Sequence, residues 1–426
     1  MLGRGQDDVV RILVAPDCFT GTLTARQAAD AIADGWSRGA PHDDVTVLPL
    51  ADGGPGFVET VHAGLGGELV PITVGGPLGE PTAALVLLVD GPSGRAAYLE
   101  SAHAVGLHLV PAARRDPTRT TSIGVGELLR AALDLGARRV VVGLGGSATN
   151  DAGAGMLAGL GVGGLILRGG GGGLGGVRLE DLAGLAELRR ELAGVDLVIA
   201  TDVDVPLLGL HGASAGFAAQ KGATAEQAQE LERALGSFAQ VVGQAVAADG
   251  TRRDLLAAPA RPASTSGALI GSPLAPEHGG HHHHGAAGGD RTLAQLPGGG
   301  AAGGLGFGLA VLGGRVLPGA QVVAESVGLA EHVARSDIVV TGEGALDWQS
   351  LHGKVVSAVA AQGVAHGIPV VVVAGQVLIG RREWSAAGIA AAYAVAERPD
   401  QVAAAQRDPV ATLAARAERV ARTWSR

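Results

Sequence analysis

Along this chain, short apolar runs repeatedly stop at an acidic residue set among turn formers. Asp17, Asp52, Asp151, Asp202, Asp204 and Glu343 all stand at that address, Asp52 and Glu343 directly beside glycines. Apolar runs of about four to eight residues bounded by turn chemistry read as strands, and helix-period stripes between them read as crossovers. Arg11 to Ala15 leads into the loop DCFTGT and then into Ala25, Ala28, Ala29, Ile32 and Trp36 at helical spacing, with Thr24 and Gln27 as a capping box. Val45 to Leu50, ADGGPG and a short helix over Phe57 to Ala63 repeat the unit.

Between Glu68 and Glu100 the runs LVPITV, AALVLLVD and RAAYLE are separated by GGPLGEP and GPSG, which predicts antiparallel strands. The α/β rhythm then returns. A helix is expected over Val125 to Leu135, a strand over Arg139 to Leu144, then GGSATND and a Gly- and Ala-rich helix. Asp196 to Ala200 is the next strand, followed by a helix over Ala225 to Val246. Strands follow at Asp337 to Thr341, Ile368 to Ala374 and Ile389 to Val395, before a closing Ala- and Arg-rich helix. At 426 residues the chain exceeds what one core of about 250 to 300 residues serves, so two α/β domains with a cleft are expected. The stretch from Asp249 to Gly300, with EHGGHHHHGAAGG, reads as a low-complexity loop insertion.

A net charge of -9 without a basic run argues against nucleic acid as the main partner. The mean hydropathy of +0.29 comes with Gly- and Ala-rich stretches rather than a strongly apolar span, so no membrane segment is expected. One cysteine, Cys18, and no export signal point to a cytoplasmic setting. A homodimer is compatible with the sequence.

Strand-end acids in open α/β sheets can converge on one cleft, although a single loop Asp more often makes a turn or a cap. The loop GLGGSATND, Gly143 to Asp151, is the sharpest anion-binding candidate: Gly145 and Gly146 let backbone N–H groups approach, Ser147 and Thr149 add hydroxyls, and a helix start follows. It lacks a ribose-binding acid about 20 residues on and a Walker lysine, so neither dinucleotide nor P-loop chemistry is indicated. Phosphoryl transfer needs cations, carboxylates for Mg²⁺ and a group for the attacking hydroxyl, and all three types are present. Asp202 and Asp204, two apart, can share a metal or divide metal and base roles. Lys221 and Lys354 are the only lysines and both sit beside glycines, as phosphate cations would. The tract His281 to His284 lacks fixed geometry for a metal, and Cys18 lacks a neighbouring histidine for nucleophilic work.

In order and spacing, VAPDCFTGTLTA, PLADGG, RRDPTRTTSIGVGEL, VVGLGGSATNDAGAG, TDVDVPLLGLHGAS, QKGA, GGGAAGGLGFGL and DIVVTGEGALDWQSLHGKV resemble the type I glycerate kinase family across nearly the whole chain. The resemblance implies a Rossmann/flavodoxin-like domain with a parallel sheet, built from 1–67 plus 300–426, and a second mixed α/β domain over 68–299 that carries the insertion at about 249–299. It implies ATP- and Mg²⁺-dependent phosphorylation of D-glycerate, usually to 2-phosphoglycerate. By motif, Asp17, Asp52, Asp202, Asp204 and Lys221 would do catalytic work. Gly145, Gly146, Ser147, Thr149, Asn150, Glu343 and Lys354 would meet nucleotide or substrate, and Asp202 and Asp204 would hold the metal. The chain departs from the family pattern at Cys18 and Thr20 (DSFKGS), Pro55 (ADGGEG), Val205 (DVDNPL), Ala218 and Ala219 (GPQKGA) and Ala345 (GEGRxD). Those losses make a non-catalytic homologue that binds nucleotide or a hydroxy acid the alternative reading.

Overall fold

The computed structural model describes residues 9–19, 21–249 and 293–425. Thr20, the His281 to His284 tract and most of the expected insertion lie outside the described residues. Among the described residues thirteen strands follow in chain order: β1 (Arg11–Val14), β2 (Asp44–Val47), β3 (Glu68–Gly75), β4 (Pro81–Gly91), β5 (Gly94–Glu100), β6 (Arg139–Gly143), β7 (Asp196–Ala200), β8 (Arg315–Leu317), β9 (Ile338–Thr341), β10 (Ala345–Leu346), β11 (Val370–Ala374), β12 (Gln376–Val377) and β13 (Ile389–Ala394). Together with the helices between them they form an α/β protein.

Two main sheets result. The first is wholly parallel, in the order β13-β11-β9-β1-β2, with Leu13 opposite Thr46 on one side and Val339 on the other. The second runs β3-β4-β5-β6-β7-β8; its β3–β4 and β4–β5 pairs are antiparallel and the rest parallel. The runs between Glu68 and Glu100 therefore pair as their turn chemistry predicts. Buried parallel strands read as continuous apolar runs, and Val370–Ala374 is buried at every position. Strand β8 was not foreseen. At three residues it carries no periodic signal, yet it pairs with β7 and keeps the chain in the second sheet until Leu317.

Side-chain alternation stacks the layers. On β1, Ile12 and Val14 face a core with Trp36 and Leu413, under helices Ala25–Gly39 and Pro409–Trp424. Leu13 faces the other way, into a core that also holds Tyr98, Val141 and Val198 of the second sheet. Helices Phe57–Leu65, Gly319–Ser326 and Val355–His366 fill that space. The far side of the second sheet, with Val140, Val142 and Ile199, packs on helices Ile123–Asp134 and Ala225–Ala248. A helical layer shared by both sheets ties the loops at their carboxyl ends to one neighbourhood. Among the described residues no helix is long and apolar enough to cross a membrane.

Candidate active site

The loop after β1 is fastened to the loop after β9: the Asp17 N–H donates to the Gly342 carbonyl (2.8 Å) and the Thr341 hydroxyl to the Ala15 carbonyl (2.8 Å). This fixes Asp17 at the carboxyl edge of the parallel sheet, 8% exposed, with Oδ1 accepting the Cys18 N–H at 2.6 Å. Burial, then the charge of Asp52, and to a lesser degree that of Glu343, push its carboxyl up to about 8. Asp202 is raised to about 7 by burial and by Asp52, although it accepts the Ala320 N–H at the start of helix Gly319–Ser326 (3.4 Å). Glu343 is raised to about 7, chiefly by burial, and its Oε1 is buried without a hydrogen-bond partner. Lys354 favours ionisation of both Asp202 and Glu343, so one ammonium serves several carboxylates.

Two cavities meet at this cluster, one of about 370 Å³ and one of about 1140 Å³. Asp17, Cys18, Thr22, Asp52 and Lys354 line both. Glu343 faces the smaller, while Asp202, Asp204, Gly145 and Gly146 face the larger. The strand-end acids thus converge, apart from Asp151.

Close backbone packing makes the convergence possible. A Cβ on Gly319 would overlap the carbonyl oxygen of Asp52, so glycine there lets the start of the helix that holds Asp202 lie against the Asp52 loop. A Cβ on Gly145 would sit 2.6 Å from the Gly54 Cα. Gly145 is therefore where the GLGG and ADGG loops touch.

The rest of GGSATND plays a different part from the expected one. Asp151 is fully buried and accepts from the Ser122 N–H (2.8 Å), the Ser122 hydroxyl (2.9 Å), Gly153 N–H (3.1 Å) and Gly155 N–H (3.2 Å). Helix Ala154–Gly159 is only six residues long, and Asp151 already occupies N–H groups at its start. An external anion has no claim on them. Thr149 and Asn150 are wholly buried, and Ser147 nearly so; none of the three lines either cavity.

Lys221, expected as a phosphate cation, is 3% exposed and lies behind the loop, where its ammonium donates to Ser147 Oγ (2.9 Å) and the Thr149 carbonyl (2.6 Å). Burial pushes its pKa down to about 7. Its geometry is that of a brace for residues 147–149, not of a cleft cation. Lys354 does reach the cleft.

Sequence reasoning missed Glu100, His103, His108, Trp348 and His352. Glu100 accepts the N–H groups of Gly56 (3.1 Å) and Val58 (3.3 Å), holding the ADGGPG loop, and its Oε2 lies 3.7 Å from His103 Nε2. It lines the larger cavity with His103 and His108. The signal existed, since RAAYLE is an apolar run ending in an acid, and Glu100 pairs with Gly143 across parallel strands. Of the departures from the family pattern, Cys18, Pro55, Val205 and Ala345 line the cavities, and Ala218 and Ala219 do not.

Among the described residues no three His, Cys, Asp or Glu side chains converge closely enough to cage an ion. The orphaned Glu343 Oε1 and the surplus of carboxylates over cations nonetheless fit a hard divalent cation held by one or two carboxylates and by phosphate oxygens, which is how Mg²⁺ is usually bound.

The glycerate kinase family matches over residues 12–425. The glycerate kinase of Halalkalibacterium halodurans is 35% identical, over 97% of this chain and 99% of the relative. The glycerate 2-kinase of Escherichia coli K12 is 36% identical, over 86% and 85%. A crystal structure from Salmonella typhimurium LT2, described as glycerate kinase 2, superposes with a TM-score of 0.72 at 33% identity, covering 98% of each chain. With its carboxylate-lined cleft and a match running almost from end to end, the chain belongs to the glycerate kinase family and is a kinase.

Proposed function

We propose that this enzyme phosphorylates D-glycerate from ATP with Mg²⁺, forming 2-phosphoglycerate. The observation that carries the reading is the meeting of Asp17, Asp52 and Lys354 with both cavities, Glu343 on one side and Asp202 and Asp204 on the other. Two substrates in adjoining cavities with reactive ends at shared carboxylates suit direct phosphoryl transfer. The 2-position is favoured by the name of the Escherichia coli relative.

In this reading Asp202 and Asp204 would hold the metal, and Lys354 would face the transferring phosphoryl group. Bound Mg²⁺ would neutralise charge on the phosphates. Asp17, at the junction, takes the proton of the attacking hydroxyl; its pKa of about 8 places it among groups able to exchange a proton near neutrality. The substrate oxygen bonds to the γ-phosphorus, the bond to the β-phosphate oxygen breaks, and ADP leaves with that electron pair. Gly145 and Gly146 offer backbone to the larger cavity, while Lys221, Thr149 and Asn150 keep the loop in shape. We read the two sheets as the cores of two domains, with the second passage between them after Leu317.

The decisive experiment is ADP release from MgATP with and without D-glycerate, with ³¹P NMR of the product. Glycerate-dependent turnover giving 2-phosphoglycerate is expected, and its absence removes the proposal. The second reading, binding without turnover, is favoured by Cys18, Pro55, Val205 and Ala345 standing in the cavity walls. Calorimetry showing MgADP or glycerate binding in a protein that never turns over selects it.

A further inference from the structure

The smaller cavity changes character along its length. Its inner end carries Asp17, Asp52, Glu343 and Lys354, the groups shared with or next to the larger cavity. Its outer end is formed by Val395, Val402, Ala405, Pro409 and Leu413, from the loop after β13 and the helices Pro399–Arg407 and Pro409–Trp424. Between these ends it passes Gly344 and Gly375, at the carboxyl ends of β9 and β11. The cavity therefore runs across the sheet edge from charge to hydrocarbon.

A ligand that fills it is anionic and cation-binding at one end and apolar at the other. A small hydroxy acid is polar throughout and has nothing to place among Val402, Ala405 and Leu413. A nucleoside polyphosphate has the required gradient. The volume of about 370 Å³ lies in the range of small-molecule sites. Two side-chain amides, Gln376 and Gln406, also line this cavity, and neither hydrogen-bonds to another described residue. Each offers a donor and an acceptor to a heterocycle edge.

Resting on the kinase reading, we propose that the smaller cavity seats the nucleobase and sugar of the nucleotide, with the apolar outer end against the base and Gln376 and Gln406 at its edge. The larger cavity is then left to the hydroxy acid. The rival platform is Trp348, 62% exposed on the larger cavity and in tilted contact with His352, the ring centroids 4.7 Å apart and the planes at 40°. Its openness to solvent makes it the poorer site for excluding water from a base.

Photolabelling of the full chain with 8-azido-ATP, followed by peptide mapping, separates the two. Label protected by ATP and confined to residues 395–413 is expected. Protected label at Trp348 to His352, or no protected label, overturns the proposal. In parallel, Ala405→Phe fills the outer end and is expected to raise KM for ATP about tenfold or more with KM for D-glycerate nearly unchanged. The reverse pattern overturns the proposal while leaving the kinase reading intact. Should that variant melt early, Gln406→Ala on the exposed edge is the substitute, with an expected rise in KM for ATP of about three- to tenfold and a weakened preference for ATP over GTP. An unchanged ATP preference and KM in that variant count against the proposal. If wild-type protein takes label at 395–413 yet never phosphorylates glycerate, the proposed D-glycerate reaction fails and the base site stands.

Discussion

Asp17→Asn should make this protein more stable and much less active. The carboxyl is 8% exposed and its pKa is pushed up to about 8, against about 3.9 in an unfolded chain. A group with a raised folded-state pKa gives its full contribution below the unfolded value, and that contribution is lost as pH rises through the folded one. For Asp17 the loss is about 1.4 kcal/mol per pH unit between pH 4 and 8, or about 4 kcal/mol by pH 7. The amide removes the ionisation and keeps an oxygen to accept the Cys18 N–H, now 2.6 Å from Oδ1. Burying its NH₂ group takes back about 1 to 3 kcal/mol at every pH, leaving a net gain of about 1 to 3 kcal/mol at pH 7 and a net loss of about 1 to 3 kcal/mol near pH 4. Urea unfolding at half-unit steps from pH 5 to 7.5 measures this directly. The same variant should lose about a hundredfold or more in kcat if Asp17 takes the hydroxyl proton. A variant whose stability tracks the wild type at every pH would refute the claim that folding holds this carboxyl protonated at a cost near neutrality. Loss of stability at pH 7 would refute it equally.

Three further outcomes follow from the packing. Gly319→Ala places a methyl on the Asp52 carbonyl, so it should cost about 1 to 3 kcal/mol in unfolding experiments and lower kcat by disturbing the Asp52 and Asp202 loops together. Lys221→Met should leave KM for ATP within about twofold, because the ammonium touches Ser147 and Thr149 and neither cavity; a rise beyond tenfold would restore it as a phosphate cation. Its pKa of about 7 lies below the unfolded value, so wild-type stability should rise as pH goes from about 7 to 10, and the Met variant should lose that rise in pH-dependent denaturation. Glu100→Gln should shift the pH profile of kcat/KM without unfolding the chain, since the amide oxygen can still accept the Gly56 and Val58 N–H groups; an unchanged profile would make Glu100 a loop anchor alone.

Much of the architecture was legible because buried parallel strands carry their own signature. Asp196–Ala200 falls where its apolar run predicts, and Thr24 and Gln27 cap Ala25–Gly39 as their spacing requires. β8 was illegible because three half-buried residues hold a place only through β7. The convergence of Asp17, Asp52, Asp202 and Glu343 was readable from their shared place at strand ends. Which members of GGSATND face outward was not. Glycine, serine and a following helix read alike whether their N–H groups await an anion or already serve an internal carboxylate, and only the packing of Ser122 and Lys221 onto the loop decides it. Lys221 illustrates the same limit: its scarcity marked it as special, but composition cannot tell a cleft cation from an internal brace.

Asp17, Asp202 and Glu343, raised to about 8, about 7 and about 7, crowd the junction where the metal-bound phosphates of a nucleotide would lie, Asp202 on the metal and the other two beside it. A cation bound at or beside these carboxylates lowers their pKa values and displaces protons they hold near neutrality. Calorimetric titration of MgADP at pH 7, repeated in buffers of different ionisation enthalpy, counts those protons. Release of about one to two per nucleotide bound is expected, falling toward zero at pH 9. Binding with no proton release, or with uptake, would contradict it.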